Sequence, residues 1–174
     1  MKTSARFRCT VCAIVPILIG VGVQSSIAMA EGAKAPTLAI ADFDFKDTSG
    51  EIRDQSAIHQ KRLSALVSTV REQLSEDRRV DVTSMDCGHD QCTPRGLGLA
   101  TLSRQAKAAG ASHLLIGEVH KMSTLVGWVK YALLDLQSNR PTCDRFLTYR
   151  GDTDEAWHRA AKFVVQDVER NCLP

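Results

Sequence analysis

The sequence lacks the charge imbalance and the catalytic signatures that would place it in an obvious functional class. Its 22 lysines and arginines nearly balance 20 aspartates and glutamates, for a net charge of +2. A chain this close to neutral has no general electrostatic attraction to nucleic acid or anionic lipid, so we expect neither as a partner. Ser49 and Ser123 lack the flanking glycines of a nucleophile elbow, and Gly96 with Gly98 falls short of the phosphate-binding glycine fingerprint. We therefore expect no catalytic residues, no enzymatic activity and no cofactor.

The sequence also has no apolar run long enough to cross a bilayer as a stable helix. The run Val11–Val23 is interrupted by Pro16 and falls short of the roughly 20 residues that a membrane span needs. Basic residues precede this run and small residues follow it: Lys2, Arg6 and Arg8 before, and Ala28-Met29-Ala30 after. This order is typical of a cleavable secretory signal peptide. We expect residues 1–30 to be removed on export, with an uncleaved amino-terminal anchor as the alternative.

A lipoprotein signal is missing as well, because no cysteine directly follows the apolar run. Cys9 and Cys12 lie at its front edge, so we expect no lipid anchor and no stable membrane insertion after cleavage. Cleavage after Ala30 leaves 19 lysines and arginines against 20 acidic residues, and 144 of the 174 residues. That length fits one domain. We expect a short polar leader over 31–36 and a single periplasmic domain over 37–174.

Four cysteines remain after the predicted cleavage: Cys87, Cys92, Cys143 and Cys172. An even number of thiols in an oxidising compartment predicts two disulfides. From Cys143 a strand of about 26 Å would lead to a turn near Gly151, and the following helix would return about 27 Å. The matching lengths predict a bond between Cys143 and Cys172, which leaves Cys87 to pair with Cys92.

The segment Cys87–Cys92 is also the one cluster that could bind a metal. Cys87, His89 and Cys92 could supply three ligands of a zinc or copper site. No fourth ligand is evident nearby, and metal binding requires thiols that an oxidising compartment disfavours. A disulfide loop is the preferred interpretation, and a metal or redox site is the alternative. The other histidines show no metal-ligand spacing on one face and are interpreted as satisfied or solvated side chains: His59, His113, His120 and His158.

Hydrophobic periodicity predicts the element order β-α-β-α-β-β-β-α. The predicted strands are Leu38–Phe45, Arg79–Thr83, His113–Lys121, Val126–Leu136 and Arg145–Arg150. The first predicted helix covers about 54–75 and has an apolar stripe from Ile58 to Leu74. The second covers about 98–109 and is closed by Gly110. The last one is capped by Asp152 or Thr153. Residues 85–95 form a predicted cysteine loop. The fold class is α/β, with one five-stranded mixed sheet flanked by helices.

Two further groups of residues are candidates for a site. Asp42, Asp44 and Asp47 cluster at the end of the first strand, where open α/β sheets often bind ligands. They could hold a cation or act as an acid and base, although a solvated strand end explains them equally well. Trp128 and Tyr131 are three positions apart on one strand and therefore point to opposite faces. One of them would face away from the helices, as a protein-contact surface or as a core position.

The motifs Leu38–Asp47, Ala109–Lys121, Leu134–Leu136 and Tyr149–Ala160 together resemble a bacterial family of exported proteins of unknown function. More distantly, the layout is similar to the amino-terminal domain of the translocation protein TolB. It is also similar to the envelope domains of the curli secretion channel and of the lipoprotein activators of penicillin-binding proteins. The resemblance implies a mixed sheet flanked by helices and a binding or assembly role without catalysis. The chain lacks the lipid-anchor cysteine and the propeller or pore-forming extension of those proteins, so no individual assembly role carries over.

These observations lead to one functional expectation and two alternatives. We expect a non-enzymatic periplasmic accessory domain that binds another protein of the bacterial cell envelope. The first alternative is a small-ligand, metal or redox-binding protein that uses the Cys87–Cys92 loop. The second is a hydrolase with an unrecognised site at Asp42 and Asp44.

Overall fold

The computed structural model describes residues 35–88 and 91–173, which belong to one compact unit of the chain. The predicted signal peptide over 1–30 lies outside the described residues, and so do His89 and Asp90. Within the described ranges, no helix combines the length and the hydropathy that crossing a membrane requires.

The described residues form six strands and four helices, and every predicted helix is present. The elements are β1 Thr37–Ile40, β2 Asp44–Asp47, α1 Ser56–Glu76, β3 Asp81–Thr83, α2 Pro94–Leu97, α3 Leu99–Ala108, β4 His113–Lys121, β5 Val126–Asp135, β6 Arg140–Arg150 and α4 Asp154–Asn171.

The strands form a single mixed sheet in the order β3-β1-β4-β5-β6. β1 is parallel to β3 and β4, whereas β4, β5 and β6 are antiparallel neighbours. β2 continues along the same side of β4, beyond the point where β1 ends. The predicted α/β class with a mixed sheet is confirmed.

The predicted count of five strands is wrong because the chain interrupts the first strand and makes two of it. After β1 the backbone N–H of Asp42 turns away from β4 and donates to the Cys92 carbonyl oxygen at 2.8 Å. The Phe43 ring then packs against Gly117, where a Cβ would lie 2.5 Å from the ring. A glycine inside a strand often marks such a close approach. The interruption thus lies where Asp42 bonds to Cys92 and Phe43 packs over Gly117 of β4.

Two other boundaries differ from the predictions. The predicted cysteine loop contains the short helix α2, whose first turn is stabilised because Thr93 Oγ1 accepts a hydrogen bond from the Gly96 N–H at 3.0 Å. β6 begins at Arg140 rather than Arg145, because the chain reverses tightly at Asn139, which has a φ of 54°. Both differences arise from local turn chemistry that hydrophobic periodicity does not detect.

One face of the sheet is covered by α1 and α4, which enclose the larger core cluster. The buried stripe of α1 begins at His59 and not at Ile58, which is 49% exposed. The other face is covered by α3 at one end only, where Leu102 and Ala106 pack against Leu114 and Leu134. The remaining half of this second face carries no covering helix among the described elements.

Candidate interaction surface

Asp42 and Asp44 lie beside two arginines. Arg71 Nη2 donates to Asp42 Oδ1 at 2.8 Å and to the Ile40 carbonyl oxygen at 3.0 Å. The backbone N–H of Arg95 donates to Asp44 Oδ2 at 3.1 Å. These carboxylates border a groove of about 440 Å³ between α1, β2 and α2. Hydrogen bonds from Arg71 and Arg95 therefore already occupy part of the accepting capacity of these two carboxylates.

Asp47, the third predicted member of that cluster, belongs to a different environment. Successive residues of a strand point to opposite faces, so Asp44 lies on the second face while Asp47 lies on the helix-covered face. There Asp47 Oδ2 is 3.8 Å from Lys121 Nζ and 3.8 Å from His59 Nδ1. In the described ranges, no three His, Cys, Asp or Glu side chains are grouped as metal ligands. The expected three-aspartate cluster is therefore wrong, because strand alternation separates its members.

A buried ionic cluster centred on Asp152 joins the sheet to both long helices. Its carboxylate lies 2.9 Å from His59 Nε2 and 3.0 Å from Lys121 Nζ. It also accepts hydrogen bonds from Arg62 Nη1 at 2.9 Å and from the Trp157 indole N–H at 3.0 Å. Burial by itself would raise the pKa of Asp152, but the hydrogen bonds from His59, Lys121 and Trp157 outweigh it and lower the pKa to about 2. The carboxylate is therefore held in its charged form.

Lys121 is the cation buried most completely in this cluster, with a side chain only 2% exposed. Burial would lower its pKa, but ion pairs with Glu51 and Asp152 raise the pKa above its ordinary value. Glu51 also accepts a hydrogen bond from Gln55 Nε2 at 2.5 Å. A lysine held in this way is a structural cation, because its ammonium group has carboxylate partners and almost no access to solvent.

Sequence reasoning missed the role of Asp152, which was one of two candidates for the α4 cap. The cap is Thr153, whose Oγ1 accepts the Ala156 N–H at 3.3 Å. The available signal was Lys121, which shares the strand parity of the buried Leu115 and Val119 and so points into the core. A buried lysine requires a carboxylate partner, but the sequence alone does not say which one.

The structure places the four described cysteines in the two predicted pairs. Cys143 and Cys172 have Cα atoms 5.2 Å apart and are both buried, at the end of α4. Cys87 and Cys92 have Cα atoms 5.6 Å apart beside α3. Both separations are within the usual disulfide range. His89, the third candidate ligand of the metal alternative, lies outside the described residues.

Trp128 and Tyr131 lie on opposite faces, as their spacing predicts. Tyr131 is 2% exposed on the helix-covered face, and its hydroxyl donates to Asp167 Oδ2 at 2.5 Å. Trp128 lies on the second face, with ring centroids 4.7 Å from His120 and 5.4 Å from Phe146. Phe146 is 60% exposed. An exposed phenylalanine ring packed at a tilt against a tryptophan forms an apolar patch of the kind that marks interaction sites.

The uncovered half of this second face is called the open face below. It consists of two cross-strand rows: His120, Trp128 and Thr148 in one, and Glu118, Lys130 and Phe146 in the other. The aromatic centre is bordered by charge, because Arg95 Nη2 contacts Glu118 at 2.6 Å and Lys130 Nζ lies 3.8 Å from Asp144. His120 Nε2 lies 2.6 Å from Thr48 Oγ1, and its buried Nδ1 has no partner among the described residues. An apolar centre with a polar rim is the usual anatomy of a protein interface.

The family model DUF3280, described as a protein of unknown function (DUF2380), matches residues 36–168. The chain belongs to this family. The match includes all six strands and most of α4, and it confirms the family resemblance that the sequence motifs indicated. No curated protein matches this DUF3280 chain significantly.

Solved structures with a similar fold include the hypothetical protein CT253 from Chlamydia trachomatis. It is 8% identical with a TM-score of 0.51, and the match covers 77% of this chain and 95% of that one. TolB from Acinetobacter baumannii matches with 18% identity and a TM-score of 0.49 over 78% of this chain, but only 28% of the TolB chain. The LpoB C-terminal domain from Salmonella enterica matches with 14% identity and a TM-score of 0.45, over 66% of this chain and 82% of that one. The likeness to CT253 shows a shared fold.

Proposed function

We propose that this DUF3280 protein is exported to the bacterial periplasm and binds another protein of the cell envelope there, without catalysing a reaction. The open face carries the proposal, because it places Trp128 and Phe146 at the surface of a rigid sheet. The partner's identity is not part of the proposal. Its binding surface would be an apolar patch with charges of both signs around it.

The energetics of the open face favour a protein partner over a small ligand. Phe146 is 60% exposed, and burying a phenylalanine side chain completely stabilises a complex by roughly 2 kcal/mol. The surface consists of cross-strand rows on one face of the sheet, whereas small-molecule sites are concave and enclose most of their ligand. Aromatic side chains contribute much of the binding energy of protein interfaces.

The absence of catalysis is supported by the state of the titratable groups. Asp42 and Asp44 already accept hydrogen bonds from arginine groups, and Asp152 is held ionised by buried donors. A general acid or base needs a pKa near the working pH and access to a substrate. The buried cluster lacks the second property, because Lys121 is 2% exposed and Asp152 is 12% exposed. We therefore assign these groups to stability.

The proposed compartment depends on the predicted leader and on the cysteines. Export would remove residues 1–30 and deliver four thiols to an oxidant, and the two cysteine pairs lie at disulfide distance. The domain would then extend over 37–174, preceded by the polar leader at 31–36. Two oxidised cysteine pairs are consistent with a periplasmic location.

Site-specific photo-crosslinking in the native host tests the proposed binding surface. A photoreactive residue at Lys130, on β5 next to Phe146 in the open face, should give a discrete adduct with one envelope protein. The control position is Ile58 on α1, which is 49% exposed and lies away from the open face. Phe146→Ser should reduce the Lys130 adduct, whereas Ile58→Ser should not. No adduct at Lys130, or equal adducts at both positions, would contradict the proposal.

A further inference from the structure

β6 is an edge strand with one unpaired side. It runs over Arg140–Arg150, and among the described strands its only neighbour is β5. The Gly151 N–H donates to the Leu125 carbonyl oxygen at 3.0 Å, so that pair is hydrogen-bonded, and hydrogen-bonded pairs alternate along an antiparallel ladder. Every second residue of β6 must therefore direct its N–H and C=O away from β5. The outward-directed residues are Asp144, Phe146, Thr148 and Arg150.

A groove of about 530 Å³ runs beside this free edge, between β6 and α4. Leu147 and Tyr149 line it from the strand, and Ala160 and Phe163 line it from the helix. Phe163 is 55% exposed although it borders an apolar groove. A strand added to the β6 edge would place its own side chains over this groove, so the backbone edge and the apolar surface would be covered together.

We propose that the β6 edge pairs with β6 of a second copy of this chain, in antiparallel register centred on Leu147. In that register Asp144 of each copy lies opposite Arg150 of the other, and Phe146 lies opposite Thr148. The Asp144–Arg150 pair occurs twice by symmetry, and opposite charges placed directly across antiparallel strands attract. Leu147 meets its own symmetry copy at the centre of the groove.

The charges within β6 favour this register over one centred on Arg145. A dimer centred on Arg145 would place Arg140 opposite Arg150 twice and Arg145 opposite itself, and like charges directly opposite are destabilising. In the proposed register Arg150, which makes no ion pair among the described residues, gains a carboxylate partner. Asp144 is available for it, because its contact with Lys130 is long, at 3.8 Å, and both side chains are more than half exposed.

The alternating direction of the backbone N–H and C=O groups along β6 also fits the proposed register. Asp144, Phe146, Thr148 and Arg150 all belong to the outward-directed set, so each Asp144–Arg150 and Phe146–Thr148 couple can exchange two N–H to C=O hydrogen bonds. The dimer would join two sheets into one and leave the open faces available for another protein. The inference therefore goes beyond the proposed function and does not depend on it.

The edge contact is tested by sedimentation equilibrium of the protein expressed as the full chain, over a wide concentration range. Thr148→Pro removes one outward N–H and no hydrogen bond to β5, so the monomer fold should persist, as circular dichroism would verify. We expect a dimer for the wild type and at least about tenfold weaker association for Thr148→Pro, from two lost hydrogen bonds. Thr148→Ala keeps the N–H and is the matched control, with association unchanged.

A charge exchange tests the register. Asp144→Arg and Arg150→Asp should each weaken the dimer by about tenfold, because like charges then meet twice. The double variant Asp144→Arg/Arg150→Asp should recover most of the wild-type association. A wild type that stays monomeric at all concentrations would overturn the proposal. A dimer unaffected by Thr148→Pro, or a double variant as weak as the single ones, would also overturn it.

Discussion

Lys121, the last residue of β4, places its ammonium nitrogen 3.0 Å from the carboxylate of Asp152, just before α4. This contact attaches the first turn of α4 to the centre of the sheet, and His59 and Arg62 attach the same carboxylate to α1. One buried anion thus connects three elements that are distant in sequence. The stability of the helix-covered face should depend on it.

Asp152→Asn should destabilise the protein by about 3 kcal/mol, because it removes the one buried carboxylate charge that Lys121, His59 and Arg62 share. Urea unfolding followed by circular dichroism measures the change. The matched control is Asp154→Asn, whose carboxylate is 78% exposed although it also binds Arg62. This control should cost less than about 1 kcal/mol. Equal effects at the two positions would refute the assignment of Asp152 as the anchor.

The same carboxylate predicts how stability depends on pH. The pKa of Asp152 is about 2 in the folded protein against an ordinary value of 3.8, so folding favours its ionised form. Its contribution is fully present above the ordinary value and is lost as the pH falls from there toward 2. Thermal unfolding measured between neutral pH and pH 2 should show a steep loss below pH 4. Asp152→Asn should flatten that loss, whereas an unchanged slope would show that other groups cause it.

The contact between Phe43 and Gly117 can be tested with a double-mutant cycle. Gly117→Ala should cost about 2 kcal/mol, because the new methyl group overlaps the Phe43 ring. In a Phe43→Leu background the same substitution should cost clearly less, since the smaller side chain leaves room. Additive free energies of unfolding would mean that the Phe43 ring and position 117 do not interact.

The two cysteine pairs should contribute unequally to stability. Chain-entropy arguments give roughly 3.5 kcal/mol for a bond between Cys143 and Cys172, which closes the longer loop, and roughly 2 kcal/mol for one between Cys87 and Cys92. Cys143→Ser/Cys172→Ser should therefore lower the unfolding free energy more than Cys87→Ser/Cys92→Ser does. The reverse order would indicate that the Cys87–Cys92 loop has another role, and bound metal in native mass spectra would identify that role.

Local patterns predicted most elements of this fold because their causes are local. β4 has the predicted bounds because apolar residues and small turn residues delimit it, and α1 follows from its buried stripe. The split between β1 and β2 could not be predicted, since the residues at the break contact Cys92 and Gly117, which are distant in sequence. The open face was predicted only in that one of Trp128 and Tyr131 would face away from the helices, as a protein-contact surface or a core position. Which half of that face stays uncovered depends on where α3 packs, at the end near Leu114 and Leu134.

The buried cluster escaped prediction for a related reason. Asp152, Lys121 and His59 come from three separate elements, and each has an ordinary local interpretation as a cap, a strand end or a helix residue. Only the packing of α1 and α4 on the same face brings them together. The one sequence signal of such a cluster is a polar residue, such as Lys121, at a strand position whose alternation places its side chain on the core face.

The intact mass of the protein from its native host tests the account most directly, because both compartment and function depend on export. The account predicts a chain that begins at Glu31 and weighs four hydrogens less than its reduced sequence, from the pairs Cys87–Cys92 and Cys143–Cys172. A cytosolic chain that retains Met1 and has all of its thiols reduced would contradict it.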